Sequence, residues 1–129
     1  HPYHDAIAEA LLEREGRPTA LIALHSFTPE MAGVKRPWQI GILHHKDSRL
    51  AQAMIEMLRA EGDLCVGDNE PYVLTDSNEY TVPRHAEANG LPYLEIELRQ
   101  DLIADEAGQR EWAARLARLL PQVWERLAA

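Results

Sequence analysis

The chain has 129 residues and a formal charge of −8, long enough to bury one ordinary core and short enough to be read as one domain. Its 21 acidic against 13 basic residues disfavour nucleic-acid phosphates and anionic membrane surfaces, leaving small molecules or proteins as the expected partners. No run reaches the roughly 18 consecutive apolar residues of a membrane span, and the opening residues do not read as a basic-then-apolar signal segment.

From Pro2 to Glu15, Ile7, Leu11 and Leu12 fall at helical spacing, with Pro2 suited to a first turn and Gly16 to a stop. This helix follows directly on His1, with no initiator Met, so the natural start is expected upstream. Thr19 to His25 is a nearly continuous apolar run, which predicts a strand covered on both faces that delivers His25 at its carboxyl end. After a loop holding Pro29, Gly33 and Pro37, Trp38 to Leu43 reads as a second strand. Asp47 or Ser48 can cap a helix whose Leu50, Met54, Met57 and Leu58 share one face, and Gly62 ends it.

A short strand, Leu64 to Val66, is predicted next. The lone cysteine, Cys65, reads as a small buried side chain and fits a reducing, cytoplasmic setting. Gly67 to Tyr80 lacks periodicity and is rich in turn residues, as in loops that carry function. Val82 to Asn89 is a short helix stopped by Gly90. Pro92 to Arg99 alternates, with Leu94, Ile96 and Leu98 on one side and Glu95, Glu97 and Arg99 on the other. From Asp105 onward, Trp112, Leu116, Leu119, Leu120, Val123, Trp124 and Leu127 form a helical stripe that Pro121 should kink or split. This alternation of strands and helices predicts a single α/β domain, a three-layer sandwich with a mixed, largely parallel sheet, whose ligands gather at the strands' carboxyl ends.

Several residues can carry chemistry. His25, at a strand end, reads either as a hydrogen-bonded structural residue or as a ligand for a divalent metal. Glu95, Glu97 and Arg99 share one strand face: either it looks onto a cleft, or it is the solvated face of an exposed edge strand. A glutamate beside a metal can take a proton from water and pass it to a departing nitrogen, which amide hydrolysis requires. Asn69, Glu70 and Tyr72 mix donors, acceptors and a ring in one loop, which suits either a small polar substrate or an ordinary turn. His85 lines a site or is a surface residue. His44 and His45 read as a solvated strand end, and Met54, Met57, Trp112 and Trp124 as core.

Taken in order, Leu24-His25-Ser26-Phe27-Thr28-Pro29, Pro37-Trp38-Gln39-Ile40-Gly41, Gly67-Asp68-Asn69-Glu70-Pro71-Tyr72 and Glu95-Ile96-Glu97-Leu98-Arg99-Gln100-Asp101-Leu102 resemble the N-formylglutamate amidohydrolase family over nearly the whole chain. The resemblance implies a fold similar to the zinc carboxypeptidases and aspartoacylase. It further implies zinc held by His25, Glu97 as general base and proton shuttle, and a substrate region with Arg99, Asn69, Glu70, Tyr72 and His85. The implied reaction is hydrolysis of N-formyl-L-glutamate, or a similar N-acyl acidic amino acid, to formate and the amino acid. Members of the family carry a further N-terminal part that supplies the other zinc ligands. Residues 1–129 are therefore expected to be the C-terminal part of a longer amidohydrolase, inactive alone and prone to self-association through an open sheet edge. The rival reading is a noncatalytic domain that binds a peptide or small ligand without metal.

Overall fold

The structure of the protein is a computed structural model, and it describes residues 1–73 and 82–128. Helix α1 spans Pro2–Glu13 and is followed by strand β1, Leu21–Phe27. A hairpin of β2 (Glu30–Met31) and β3 (Val34–Lys35) interrupts what reads in sequence as one loop. Its two turn residues, Ala32 and Gly33, both have positive φ, 52° and 79°, the conformation that matches the twist of a tight hairpin. Then come β4 (Ile40–Leu43), α2 (Arg49–Ala60), β5 (Val66–Asp68), β6 (Tyr93–Arg99) and α3 (Glu106–Ala128). The predicted helix at Val82 to Asn89 is a π-helical turn, Val82–Ala86, running into a 3₁₀ turn, Glu87–Asn89, closed by a left-handed Gly90.

The main sheet has the order β1-β6-β4-β5. β1 pairs with β6 and β4 with β5 in parallel, whereas β4 and β6 are antiparallel. The chain is thus α/β with a mixed sheet, as the alternating pattern predicts. Leu94, Ile96 and Leu98 of β6, Ile40 and Ile42 of β4 and Val66 of β5 form one face, buried against Leu50, Met54 and Leu58 of α2 and Trp112, Leu116, Leu119 and Val123 of α3. Arg115, Arg118 and Arg126 of α3 pair with Asp63, Glu61 and Glu56 at the solvent side of this helix pair. On the opposite face Ala23, Leu43 and Tyr93 pack with Ala86 of the π-helical turn.

Several expectations are corrected. Among the described residues β1 is an edge strand with β6 as its one partner, and Ile22 and Leu24 are 39% and 59% exposed. The apolar run at Thr19 to His25 signals a strand but does not mean cover on both faces, because α2 packs on β4, β5 and β6. β6 is not an exposed edge: lying between β1 and β4, it has both charged-face glutamates buried. Pro121 does not split α3, which runs through it for 23 residues. Leu119 and Val123, buried on either side, hold the helix together against the lost amide hydrogen bond. Cys65 is exposed rather than buried, because β5 begins one residue later, at Val66.

A row of residues crosses the sheet from edge to edge: His25 of β1 pairs with Glu97 of β6, Glu97 with Gly41 of β4, and Gly41 with Gly67 of β5. The two glycines leave space that the Glu70-Pro71 turn fills. A Cβ at Gly41 would lie 1.9 Å from the Glu70 carbonyl oxygen, and one at Gly67 would lie 2.8 Å from Glu70 Cβ. This segment is therefore folded down on the sheet beside Glu97. Because the clash at Gly41 is with backbone, Gly41→Ala is expected to cost about 1–3 kcal/mol, the usual range for overpacking a filled site. A thermal melt followed by circular dichroism checks this, and an unchanged midpoint would mean that the turn lifts away without loss.

Candidate active site

The parallel pairing of β1 with β6 sets His25 opposite Glu97 and Ala23 opposite Glu95. Because side chains alternate along a strand, His25, Glu95 and Glu97 project from the face that α2 and α3 leave open. His25 Nδ1 is 3.5 Å from Glu97 Oε1, and its Nε2 is 3.9 Å from Glu95 Oε1. Glu95 and Glu97 are only 2% and 3% exposed, while the His25 side chain is 43% exposed. Small Ala23 lies beside Glu95, and the backbone of Glu70 lies over Gly41 beside Glu97. Two carboxyl groups buried this deeply are costly unless positive charge or hydrogen bonds offset them.

One imidazole nitrogen and one oxygen from each carboxyl group lie within 4.8 Å of one another. Nitrogen and carboxylate oxygen are a donor set that suits zinc and other divalent transition metals. The residues present therefore fit a metal, with Glu95 joining His25 and Glu97. The family resemblance alone assigns no role to Glu95. Its two-residue offset from Glu97 was the signal that both would share the face.

The predicted substrate residues occupy different positions. Arg99, two residues beyond Glu97 on the same face, gives its charge to Asp101, Nε to Oδ1 at 2.7 Å, and holds the Asp101 carboxyl below the usual range. Its Nη1 also lies within 3.5 Å of the carbonyl oxygens of Arg36, Pro37 and Trp38. Asn69, in a left-handed conformation with φ of 55°, accepts the His44 amide at 2.8 Å through its side chain. It thereby fastens the start of the loop to the end of β4. Glu70 packs over the glycines through its backbone and Cβ. The Tyr72 hydroxyl lies 3.3 Å from Arg36 Nη1, and its ring faces the same guanidinium. Loop residues after 73 lie outside the described residues.

His85 is buried rather than at the surface, and its Nε2 lies 3.0 Å from His4 Nδ1. Burial, then the neighbouring His4 and Arg84, lower its pKa and keep it neutral. It lines a cavity of about 500 Å³ with Leu11, Leu12, Thr19, Asn89 and Leu91. None of His25, Glu95 and Glu97 lines that cavity, so the clustered polar groups, not this hollow, mark the candidate site. His44 and His45 are not a solvated strand end. His44 Nε2 is 2.7 Å from Asp68 Oδ1, and His45 Nδ1 is 3.1 Å from Glu87 Oε1.

These features define an α/β protein with a histidine-carboxylate centre open on one side of its sheet. The sequence profile of N-formylglutamate amidohydrolase matches residues 1–104, and the chain belongs to that family. No curated protein matches the chain. A solved structure, that of gene product Atu2144 from Agrobacterium tumefaciens, is similar with a TM-score of 0.90 and 40% sequence identity, over 99% of this chain and 51% of that one. The chain thus spans about half the length of this relative. Among the described residues, no helix is long and apolar enough to cross a membrane.

Behind the site, Glu87 accepts the Tyr93 hydroxyl at 2.6 Å and the Lys46 amide at 2.8 Å, in addition to its contact with His45. Burial raises the Glu87 pKa, but these hydrogen bonds outweigh it, so the net shift is downward from 4.5. Burial and Glu87 push the Tyr93 hydroxyl up to about 12, so it stays a donor at neutral pH. A depressed carboxyl pKa contributes stability that is present above the unfolded value of 4.5 and lost as pH falls through the folded value. Stability should therefore fall on acidification below about pH 4.5, and Glu87→Gln should flatten that fall. Tyr93→Phe should cost about 1–3 kcal/mol at neutral pH by leaving a partly buried carboxylate short of a donor. Urea melts across this pH range check both, and an acid limb as steep in Glu87→Gln as in the parent would remove Glu87 from this role.

Proposed function

We propose that this chain forms part of an amidase that hydrolyses N-formyl-L-glutamate, or a closely similar N-acyl acidic amino acid, to formate and the amino acid. The observation that carries the reading is the His25, Glu95 and Glu97 cluster in a chain of this family. A zinc ion bound there would polarise the amide carbonyl and make water easier to deprotonate. His25 and Glu95 are proposed as residues that hold the ion. The further ligands are expected from residues beyond this chain, since catalytic zinc sites commonly use three protein ligands and an open position. The 129 residues alone are accordingly expected to lack turnover.

Glu97 is proposed as the proton carrier. Its carboxylate takes the proton from the attacking water as the new carbon-oxygen bond forms. It then delivers that proton to the nitrogen as the amide bond breaks, so that glutamate leaves as an amine and the formyl group as formate. Burial of Glu97 among β1, β4 and β6 supports this role, because little bulk water competes there with the reacting water for its carboxylate oxygens. His25, at 3.5 Å, orients it. The turn at Glu70-Pro71 closes the glycine side of the same row and keeps solvent from it. The lone cysteine supports a cytoplasmic setting.

In the full-length protein, Glu97→Gln is expected to keep zinc and fold while lowering formate release by roughly 100-fold or more, whereas Glu95→Gln, at a proposed ligand, should lower zinc content. His25→Ala should lose zinc, whereas His44→Ala and His45→Ala should retain it. Metal content by mass spectrometry and formate release from N-formyl-L-glutamate are the measurements. Full turnover in Glu97→Gln removes it from the chemistry, zinc loss there makes it a ligand, and a metal-free protein that still binds the substrate favours a noncatalytic binding domain.

A further inference from the structure

An acidic side chain brought into a chain of net charge −8 is bound best where a cation lies at the end of the substrate away from the metal. Arg99 is ill placed to be that cation because Asp101 already takes its charge. Arg49, Arg110, Arg115, Arg118 and Arg126 likewise each pair with a carboxylate. Among the described residues no carboxylate lies within salt-bridge distance of Arg36, as for Arg14 and Arg59, but Arg14 bonds Thr19 and Pro18 and Arg59 bonds Val66, whereas Arg36 lies against Phe27 of β1 and Tyr72. The Arg36 Nη1 lies 3.2 Å from the Thr28 carbonyl oxygen and 3.3 Å from both the Thr28 and Tyr72 hydroxyls. Its guanidinium lies 5.7 Å from the centre of the Phe27 ring and 5.2 Å from that of Tyr72. The contacts to Thr28, Phe27 and Tyr72 hold the head group in one place without neutralising it.

That place adjoins the reactive row. Phe27 follows His25 by two residues on the same face of β1, a displacement of roughly 6.6 Å along the strand. Tyr72 follows the Glu70-Pro71 turn that covers Gly41, the partner of Glu97. Arg36 itself leaves the β2-β3 hairpin, and its carbonyl is one of those met by Arg99, so the strand bearing Glu97 also steadies the loop bearing Arg36. The guanidinium is thus held between the two segments that border the site, beyond His25 at the carboxyl end of β1.

We infer that Arg36 is the specificity-determining cation of this site and receives the side-chain carboxylate of the N-acyl glutamate. This rests on the hydrolase reading above. The offset along β1 fits a carboxylate several bonds from the scissile amide better than the α-carboxylate, which sits next to it. Tyr72 completes the pocket: its ring packs on the guanidinium and its hydroxyl can donate to the same carboxylate. The neutral amide counterpart of the acidic side chain is the natural discriminator.

The test compares kcat/KM for N-formyl-L-glutamate and N-formyl-L-glutamine in the full-length protein and in Arg36→Met and Arg36→Lys. The ratio between two substrates does not depend on how much of a variant is correctly folded. Arg36→Met should lose roughly 100-fold on the glutamate substrate, chiefly through KM, and less than about 3-fold on the glutamine substrate, the loss expected on removing one charge-assisted bidentate pair. Arg36→Lys should restore part of the preference. Equal losses on both substrates, or none, overturn the assignment while leaving the hydrolase reading intact. Titration calorimetry with L-glutamate and L-glutamine gives a readout that needs no turnover. Glutamate binding weakened by Arg36→Met sustains the assignment even if no formate is released, and glutamate binding that is absent or indifferent to Arg36 overturns it.

Discussion

The parallel ladder between β1 and β6 is the constraint from which the site follows. It fixes His25 beside Glu97 and Ala23 beside Glu95, bringing residues 72 apart in sequence to about one strand spacing in space. The antiparallel ladder on the other side of β6 brings Gly41 against Glu97. A glycine there lets the Glu70 carbonyl come down onto the sheet, so one edge of the site is built from backbone. The α2 and α3 helices have no part in the chemistry. They bury the other face of β6 and make its position rigid.

Much of this was legible from pattern alone. The alternation from Pro92 to Arg99 separates Leu94, Ile96 and Leu98 from Glu95 and Glu97, and the structure puts those two sets on opposite faces. The stripe through Trp112, Leu116, Leu119 and Val123 likewise found its core. What pattern could not supply was the order of strands. A run such as Thr19 to His25 has the same composition at the centre of a sheet as at its edge, so the exposure of Ile22 and Leu24 was hidden. The same limit explains why β6 could be read as an edge.

The site residues divide along a similar line. His25 and Glu97 stand on regular strands, where period and register are enough to bring them together. His44, His45 and His85 owe their partners Asp68, Glu87 and His4 to the way the end of β4 and the π-helical turn meet other elements, and nothing in their local sequence foretells those contacts. Arg99 and Arg36 make the point most sharply. Arg99 is conspicuous in sequence beside Glu97, yet its charge is spent on Asp101. Arg36 sits in an unremarkable Lys35-Arg36-Pro37 stretch, and only the meeting of three loops sets it near the cluster.

The opposite characters of the two faces of β6 have a bearing on how the chain reaches its native pairing. A slip of one residue against β1 and β4 would turn Glu95 and Glu97 toward Leu58 and Trp112 and leave Leu94, Ile96 and Leu98 facing the open side. Driving two carboxylates into an aliphatic layer costs several kcal/mol at least, so the mispaired sheet is rejected as it forms. The glutamates proposed for chemistry therefore also act as a proofreading device in folding. An inert protein made by replacing both with leucine would keep its core yet lose the feature that tells one alignment of its central strand from the next.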